Sequence, residues 1–217
     1  MNPQMIDLLY TSLLETLLMV GVAGVIAMVV GIPLGVTLIV TSRGAMLQNL
    51  AVNHVLGLIV NATRSVPFVI LMVAIIPFTR WVAQTSIGTT AAIVPLAVAA
   101  IPFMARIAEN AMREVDPGLI TAARAMGASP MQIICKVLLP EALPGLVAAT
   151  IVTIVSLIGY SAMAGAIGGG GLGDLGIRYG YQRFLPEVML AVVLVLILLV
   201  QAVQSFGDWL VRRMSHR

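Results

Sequence analysis

Apolar residues do not recur along this chain with the narrow stripe of a surface helix; they fill whole stretches between widely spaced charges. Four stretches carry no acidic or basic side chain: those between Glu15 and Arg43, Arg80 and Arg106, Glu141 and Asp174, and Glu187 and Asp208. Each has room for a helix of about 20 residues, which at ~1.5 Å per residue crosses a hydrocarbon core of ~30 Å. The clearest, Val188 to Gly207, has only Gln201, Gln204 and Ser205 as polar side chains. A fifth apolar stretch lies between Arg43 and Arg80 and is interrupted by Arg64. The pattern predicts spans over residues 13–40, 55–78, 87–105, 145–165 and 188–207 of a single transmembrane domain covering 1–217. Arg64 is expected near one end of the second span, snorkelling toward headgroups.

Composition agrees, with 60% hydrophobic and 10% charged residues and a mean hydropathy of +1.06. A soluble domain carries about a quarter charged residues, so the expected fold class is an all-α integral membrane protein of about five transmembrane helices. The first apolar segment does not read as a cleaved secretion signal. No Lys or Arg precedes Arg43, and Asp7 and Glu15 are acidic where a signal needs a basic start.

An odd number of spans puts the chain ends on opposite sides, so the basic residues choose the orientation for every loop. With the C-terminus cytoplasmic, nine basic residues (Arg43, Arg64, Arg106, Arg113, Arg124, Lys136, Arg212, Arg213, Arg217) lie inside and three (Arg80, Arg178, Arg183) outside. The N-terminal segment from Met1 to about Leu9 then faces outward. The tail Arg212, Arg213, His216, Arg217 is the largest basic cluster and reads as a membrane-side anchor, not a nucleic-acid site. Cys135 is the only cysteine, which excludes an internal disulfide and leaves a bystander thiol. His54 and His216 are the only histidines and no H-E-x-x-H occurs, so nothing points to an intrinsic enzymatic or metal site.

The sizeable charged stretch, from Arg106 to Glu141, falls on the cytoplasmic side, with a candidate loop at 109–141. Pro117-Gly118 breaks the preceding segment. Leu119, Ile120, Ala122, Ala123, Ala125 and Met126 then recur as a short helix with Arg124 on its polar side. Gly127 supplies the left-handed turn that ends such a helix without steric penalty. Ser129-Pro130 reads as an N-cap and first helical position. Met131, Ile133, Ile134, Val137 and Leu138 give the next helix an apolar face before Pro140 stops it.

Thr121-Ala122-Ala123, then Gly127, then Val137-Leu138-Leu139-Pro140 resemble the EAA motif, the signature of ABC-importer permeases. In that motif an acidic residue and two alanines precede a glycine, and a branched residue, a spacer, Leu and Pro follow after a fixed interval. Thr121 departs from the pattern, standing where the family has Glu. Further segments extend the likeness: Thr63-Arg64-Ser65-Val66-Pro67-Phe68, Ala91-Ala92-Ile93-Val94-Pro95-Leu96, Arg124 to Ile133, Leu138 to Leu146, and Gly159-Tyr160-Ser161-Ala162-Met163. Together they are similar to the permeases of methionine importers.

The resemblance implies a type I ABC-importer permease in the bacterial inner membrane, carrying L- and D-methionine. It implies a homodimer of this chain, a separate ATPase subunit that holds the ATP and Mg, and a substrate-binding protein or lipoprotein; the chain itself needs no cofactor. It assigns ATPase coupling to Thr121, Ala122, Ala123, Arg124, Gly127, Pro130, Leu139 and Pro140. Near Met163 such permeases narrow their path, which makes Tyr160, Ser161 and Met163 candidates for the path and gate. Permeases for other amino acids or osmolytes, and a secondary transporter or channel subunit, are the alternatives.

No charged residue is expected deep in the four clear spans, which speaks against proton- or ion-coupled transport. Thr153, Ser156, Tyr160 and Ser161 are polar members of the fourth span, and Ser and Thr commonly bond to their own helix. Gly171, Gly173 and Gly176 match G-x-G-x-x-G, but no strand precedes them. The run from Gly168 reads as flexible, close-packed, outward-facing backbone that re-enters the membrane or meets a docking protein, with Asp174, Arg178 and Arg183 as its candidate contacts.

Overall fold

The computed structural model describes residues 3–214, which form ten α-helices and two π-turns and, among the described residues, no strand. Met1, Asn2, Ser215, His216 and Arg217 lie outside the described residues, and with them part of the expected basic tail. In chain order the helices are α1 (Pro3–Thr41), α2 (Leu50–Ser65), α3 (Phe68–Ala74), α4 (Ile76–Ala83), α5 (Thr89–Arg113), α6 (Pro117–Ala125), α7 (Pro130–Ile133), α8 (Leu139–Gly165), α9 (Gly171–Leu175) and α10 (Pro186–Met214). Ile134–Leu138 is a π-turn that makes α7 and α8 one continuous rod of 36 residues, Pro130–Gly165. Four helical segments are long and apolar enough to cross a membrane, and the bent pair α2–α3 makes a fifth.

The core is a seam between α1 and α5, and it is built from small residues. Gly31 and Gly35 of α1 sit one turn apart against α5. A Cβ on Gly31 would stand 2.8 Å from Met104 Cβ, and one on Gly35 would stand 2.6 Å from the Ala105 carbonyl oxygen. Both distances are below contact, so neither position accepts even alanine without moving backbone. Lipid tails are as apolar as the side chains, so close backbone approach is what holds such helices together. Ala105 and Ala108 face Gly35 from α5.

Several expectations change at this level. The second span is not one helix over 55–78. Its first part, α2, ends at Ser65, and α3 leaves at 105° to it. Pro67 has no N–H to continue the ladder and restricts Val66 to extended backbone, φ −83° and ψ 127°. Arg64 consequently lies far from the α1–α2 loop: 14 residues along α2 from Leu50 is about 21 Å.

The stretch from Arg106 is also not all loop, because α5 continues to Arg113. Glu109 on that continuation is 1% exposed, which places a charge inside the packed protein. Its carboxylate accepts from Arg106 Nη1 at 2.7 Å and from Arg113 Nη2 at 2.6 Å. It is a paired charge, in keeping with the rule that buried ions are compensated.

Pro140, expected to stop a helix, does not. The preceding π-turn widens the ladder, with Leu139 N–H bonding to Ile134 O, and Pro140 then sits in the first turn of α8, where a missing N–H costs nothing.

The glycine-rich run is close-packed, as expected, and it folds into a short helix. After α8 the chain turns through Gly168 and Gly170, at φ +89° and +78°, and returns as α9 into the space beside α1 and α8. Gly171 N–H donates to the Glu15 carboxylate at 2.7 Å and Leu172 N–H to Thr16 Oγ1 at 2.9 Å, which ties α9 to α1. A Cβ on Gly173 would stand 2.6 Å from Ala162 Cα.

Candidate coupling corner and translocation path

The loop following α5 is built as a rigid corner. Asp116 caps α6 by accepting from Gly118 N–H at 2.7 Å, and Pro117 occupies the first turn. At the other end Gly127 N–H bonds to Arg124 O at 2.9 Å and Ala128 N–H to Ala123 O at 3.1 Å. These are the two hydrogen bonds of a Schellman C-cap, which needs the left-handed residue that Gly127 provides at φ +81°. Two residues later Ser129 and Gln132 form a reciprocal capping box, at 3.4 Å and 2.8 Å, that starts α7. The N–H groups of Met126, Gly127, Ala128 and Ser129 are all taken up by local acceptors.

The corner residues fall into two sets. Ala123 is buried and Leu139 half-buried, while Thr121, Ala122, Arg124, Gly127, Pro130 and Pro140 are exposed. Thr121 Oγ1 donates back to Pro117 O at 2.9 Å. Thr121 and Arg124 also line a groove of about 210 Å³ against Gly44, Ala45 and Met46 of the α1–α2 loop. Met126 and Met131, which the period assigns to the apolar residues of the two short helices, are 81% and 67% exposed on either side of Gly127. The helical period did not mark them as exposed, because both stand at helix ends where the face is set by the turn between the helices.

At the far end of the same rod, Tyr160 stacks on Phe68 with ring centroids 4.8 Å apart and planes 9° from parallel. Met163 is 47% exposed, and with Ala148, Val152 and Gly159 it forms an exposed stripe along α8. Ser161 is not brought to that stripe. It is 1% exposed and its hydroxyl donates to Ile158 O at 2.8 Å. Thr153 and Ser156 likewise donate to their own helix, to Ala149 O and Val152 O.

The family model for the binding-protein-dependent transport system inner membrane component matches residues 27–216. The chain belongs to that family. It is a multi-pass inner membrane permease, a transport subunit. The permease is 56% identical over 211 residues to the probable D-methionine transport system permease protein MetI of Vibrio cholerae serotype O1, covering 97% of this chain and 94% of that protein. It is 48% identical to the corresponding protein of Pasteurella multocida over the whole of both chains. Among solved structures, an inward-facing MetNI methionine ABC transporter superposes with a TM-score of 0.98 at 51% identity, covering 100% of both chains. An amino acid ABC transporter with histidines matches with a TM-score of 0.80 at 19% identity over 95% of this chain and 94% of that one, a likeness of fold alone.

Proposed function

We propose that this permease forms the translocation path of an ATP-driven methionine importer, taking L- and D-methionine across the inner membrane as a homodimer coupled to a separate ATPase that holds the ATP and Mg. The observation that carries the proposal is mechanical. The capped corner at Gly127 is continuous with the rod Pro130–Gly165, about 54 Å long, whose other end bears Tyr160 and Met163. A displacement of the corner is transmitted to the path without an intervening loop.

In this reading the ATPase receives the exposed tip, Met126 and Met131 flanked by Thr121, Ala122, Arg124, Gly127 and Pro130. Ala123, Leu139 and Pro140 join the tip to the membrane core. The corner and the C-terminus are cytoplasmic and the N-terminus is outside, as the excess of basic residues supports. The exposed stripe of α8 faces the second copy, with Met163 as the narrowing of the path and Tyr160 beside it; Ser161 packs behind them. A substrate-binding protein meets the opposite end near α9, where Arg183 lies over the Tyr179 ring at 4.5 Å and Arg178 pairs with Asp174.

The test is uptake by vesicles holding the permease with its ATPase and binding protein. Radiolabelled L-methionine is expected to enter only with ATP, and unlabelled D-methionine to compete. Uptake without ATP, or competition by osmolytes in place of methionine, overturns the proposal. Met163→Ala is expected to raise substrate leak or ATPase activity without substrate, and an unchanged leak and basal rate removes Met163 as the gate.

A further inference from the structure

The bent pair α2–α3 is an arm held to the rest of the permease by little apolar packing. Among the described residues of α2 only Val60 is buried, and of α3 only Phe68. Lipid gives no hydrophobic reward for pressing helices together, so hydrogen bonds and close contacts decide which neighbour such an arm follows. Links of that kind run along its length. Asn53 Nδ2 donates to Leu38 O of α1 at 2.6 Å, Asn61 Oδ1 accepts from Arg106 Nη2 of α5 at 2.8 Å, and Phe68 stacks on Tyr160 of α8.

The link at Asn61 leads back to the corner. Arg106 Nη1 is held at 2.7 Å by Glu109, whose side chain is 2% exposed, and the other Glu109 oxygen accepts from Arg113 Nη2 at 2.6 Å. A guanidinium is a planar fork, so a carboxylate that fixes one nitrogen also aims the other. The buried Glu109 thus sets the direction in which Arg106 reaches α2. Arg113 is the last residue of α5, and Glu114, Val115 and Asp116 lead from it into α6. The α1–α2 loop, at Gly44, Ala45 and Met46, also meets Thr121 and Arg124 of α6 across a groove. The corner therefore adjoins the arm at the start of α2 and, through α5, near its end.

We propose that Glu109 and Arg106 are positioning residues for transport, tying α2–α3 to the last turns of α5 so that this arm follows the coupling corner. Two arms then leave the corner separately and meet again at one ring stack. The rod Pro130–Gly165 carries Tyr160, and α2–α3 carries Phe68. With both arms driven, the two rings move as a pair beside Met163. With the Asn61 link cut, the rod moves Tyr160 against a Phe68 that stays behind. The inference rests on the ATPase-coupled reading above and adds to it a second route from corner to path.

Asn61→Ala cuts the link and leaves the buried Glu109 pairs in place. In vesicles holding the permease, its ATPase and its binding protein, it should lower methionine uptake per ATP hydrolysed at least about threefold, the scale of one net hydrogen bond on an equilibrium. Asn61→Asp keeps an acceptor facing Arg106 and should restore the parental ratio within about twofold. Arg106→Lys keeps a charge beside Glu109 without the fork and should act as Asn61→Ala does. The two combined should lose no more than either alone, because they break one link. A link that only stabilised the fold would reduce the amount of assembled complex and leave the ratio unchanged.

Position is read separately. A spin label at Ile70, exposed on α3, in a Cys135→Ser background reports the distance between the two copies. ATP with vanadate should change that distance when Asn61 is intact and fail to change it in Asn61→Ala. A parental uptake ratio in Asn61→Ala, no rescue by Asn61→Asp, or an undiminished shift at Ile70 in Asn61→Ala each overturns the inference. Arg106→Lys supplies the same two readings if Asn61→Ala does not assemble. A parent complex that hydrolyses ATP without taking up methionine refutes the functional reading, and the shift at Ile70 and its dependence on Asn61 still decide the link.

Discussion

Two glycine-dependent regions of this permease look alike in sequence and differ in why they need glycine. At the seam and behind α9, Gly31, Gly35 and Gly173 are required by the space they leave, because a Cβ on any of them would enter the backbone or Cβ of a neighbouring segment. At the corner, a Cβ on Gly127 would meet nothing within 4 Å. What Gly127 supplies is a φ of +81°, which an L side chain resists. The first region is held by tertiary contact and is intolerant of volume. The second is held by local hydrogen bonds and is intolerant only of a backbone preference, which leaves its outer surface free to face a partner.

The largest expected effect is at the packed region. Gly173→Ala or Gly35→Ala forces backbone apart and should destabilise the protein by about 3 kcal/mol or more, at or above the upper range for overpacking. Thermal unfolding in detergent and the yield of folded permease read it, and unchanged values for both variants would dissolve the distinction between the two regions. Gly127→Ala is expected to cost less, about 1–2 kcal/mol of strain in the left-handed region. Its signature should be lower uptake per ATP hydrolysed in a complex that still assembles. If it instead prevents assembly as Gly35→Ala does, the corner is a packed element after all.

Ser129→Ala removes one member of the capping box and should cost about 1 kcal/mol. Its effect should appear in uptake per ATP more than in unfolding temperature, since the corner transmits movement and contributes little to the core. The smallest effect is expected at Thr121→Glu. It restores the family's acidic residue at an exposed position whose hydroxyl already bonds within its helix. Coupled uptake should stay within about twofold, the scale of a single exposed charge. A several-fold gain would mean that charge, and not shape, limits coupling in this permease.

These contrasts also separate what could be read from residue order from what could not. The corner was legible because its determinants are adjacent: Pro117 after Asp116, Gly127 at the end of a short helix, and Ser129-Pro130 followed by Gln132. The same locality misled at Pro140, where an adjacent π-turn absorbs the proline, and at Val55 to Phe78, where hydropathy continues through a break in hydrogen bonding. Hydropathy reports what a segment is dissolved in, not whether its backbone ladder is intact.

By itself, the order of residues determined that this chain is helical and membrane-embedded, because uncharged stretches in lipid must satisfy every backbone group within themselves. It also determined the corner, because caps and left-handed turns are made by neighbours in the chain. Only the tertiary structure decided which glycines are contact surfaces, that the Gly168 run packs as α9, that Ser161 turns away from Met163, and that Arg64 faces the Phe103 ring. Each of those depends on a partner dozens of residues distant, and in a bilayer such partners are chosen by how closely two helices approach, a quantity no local pattern of residues contains.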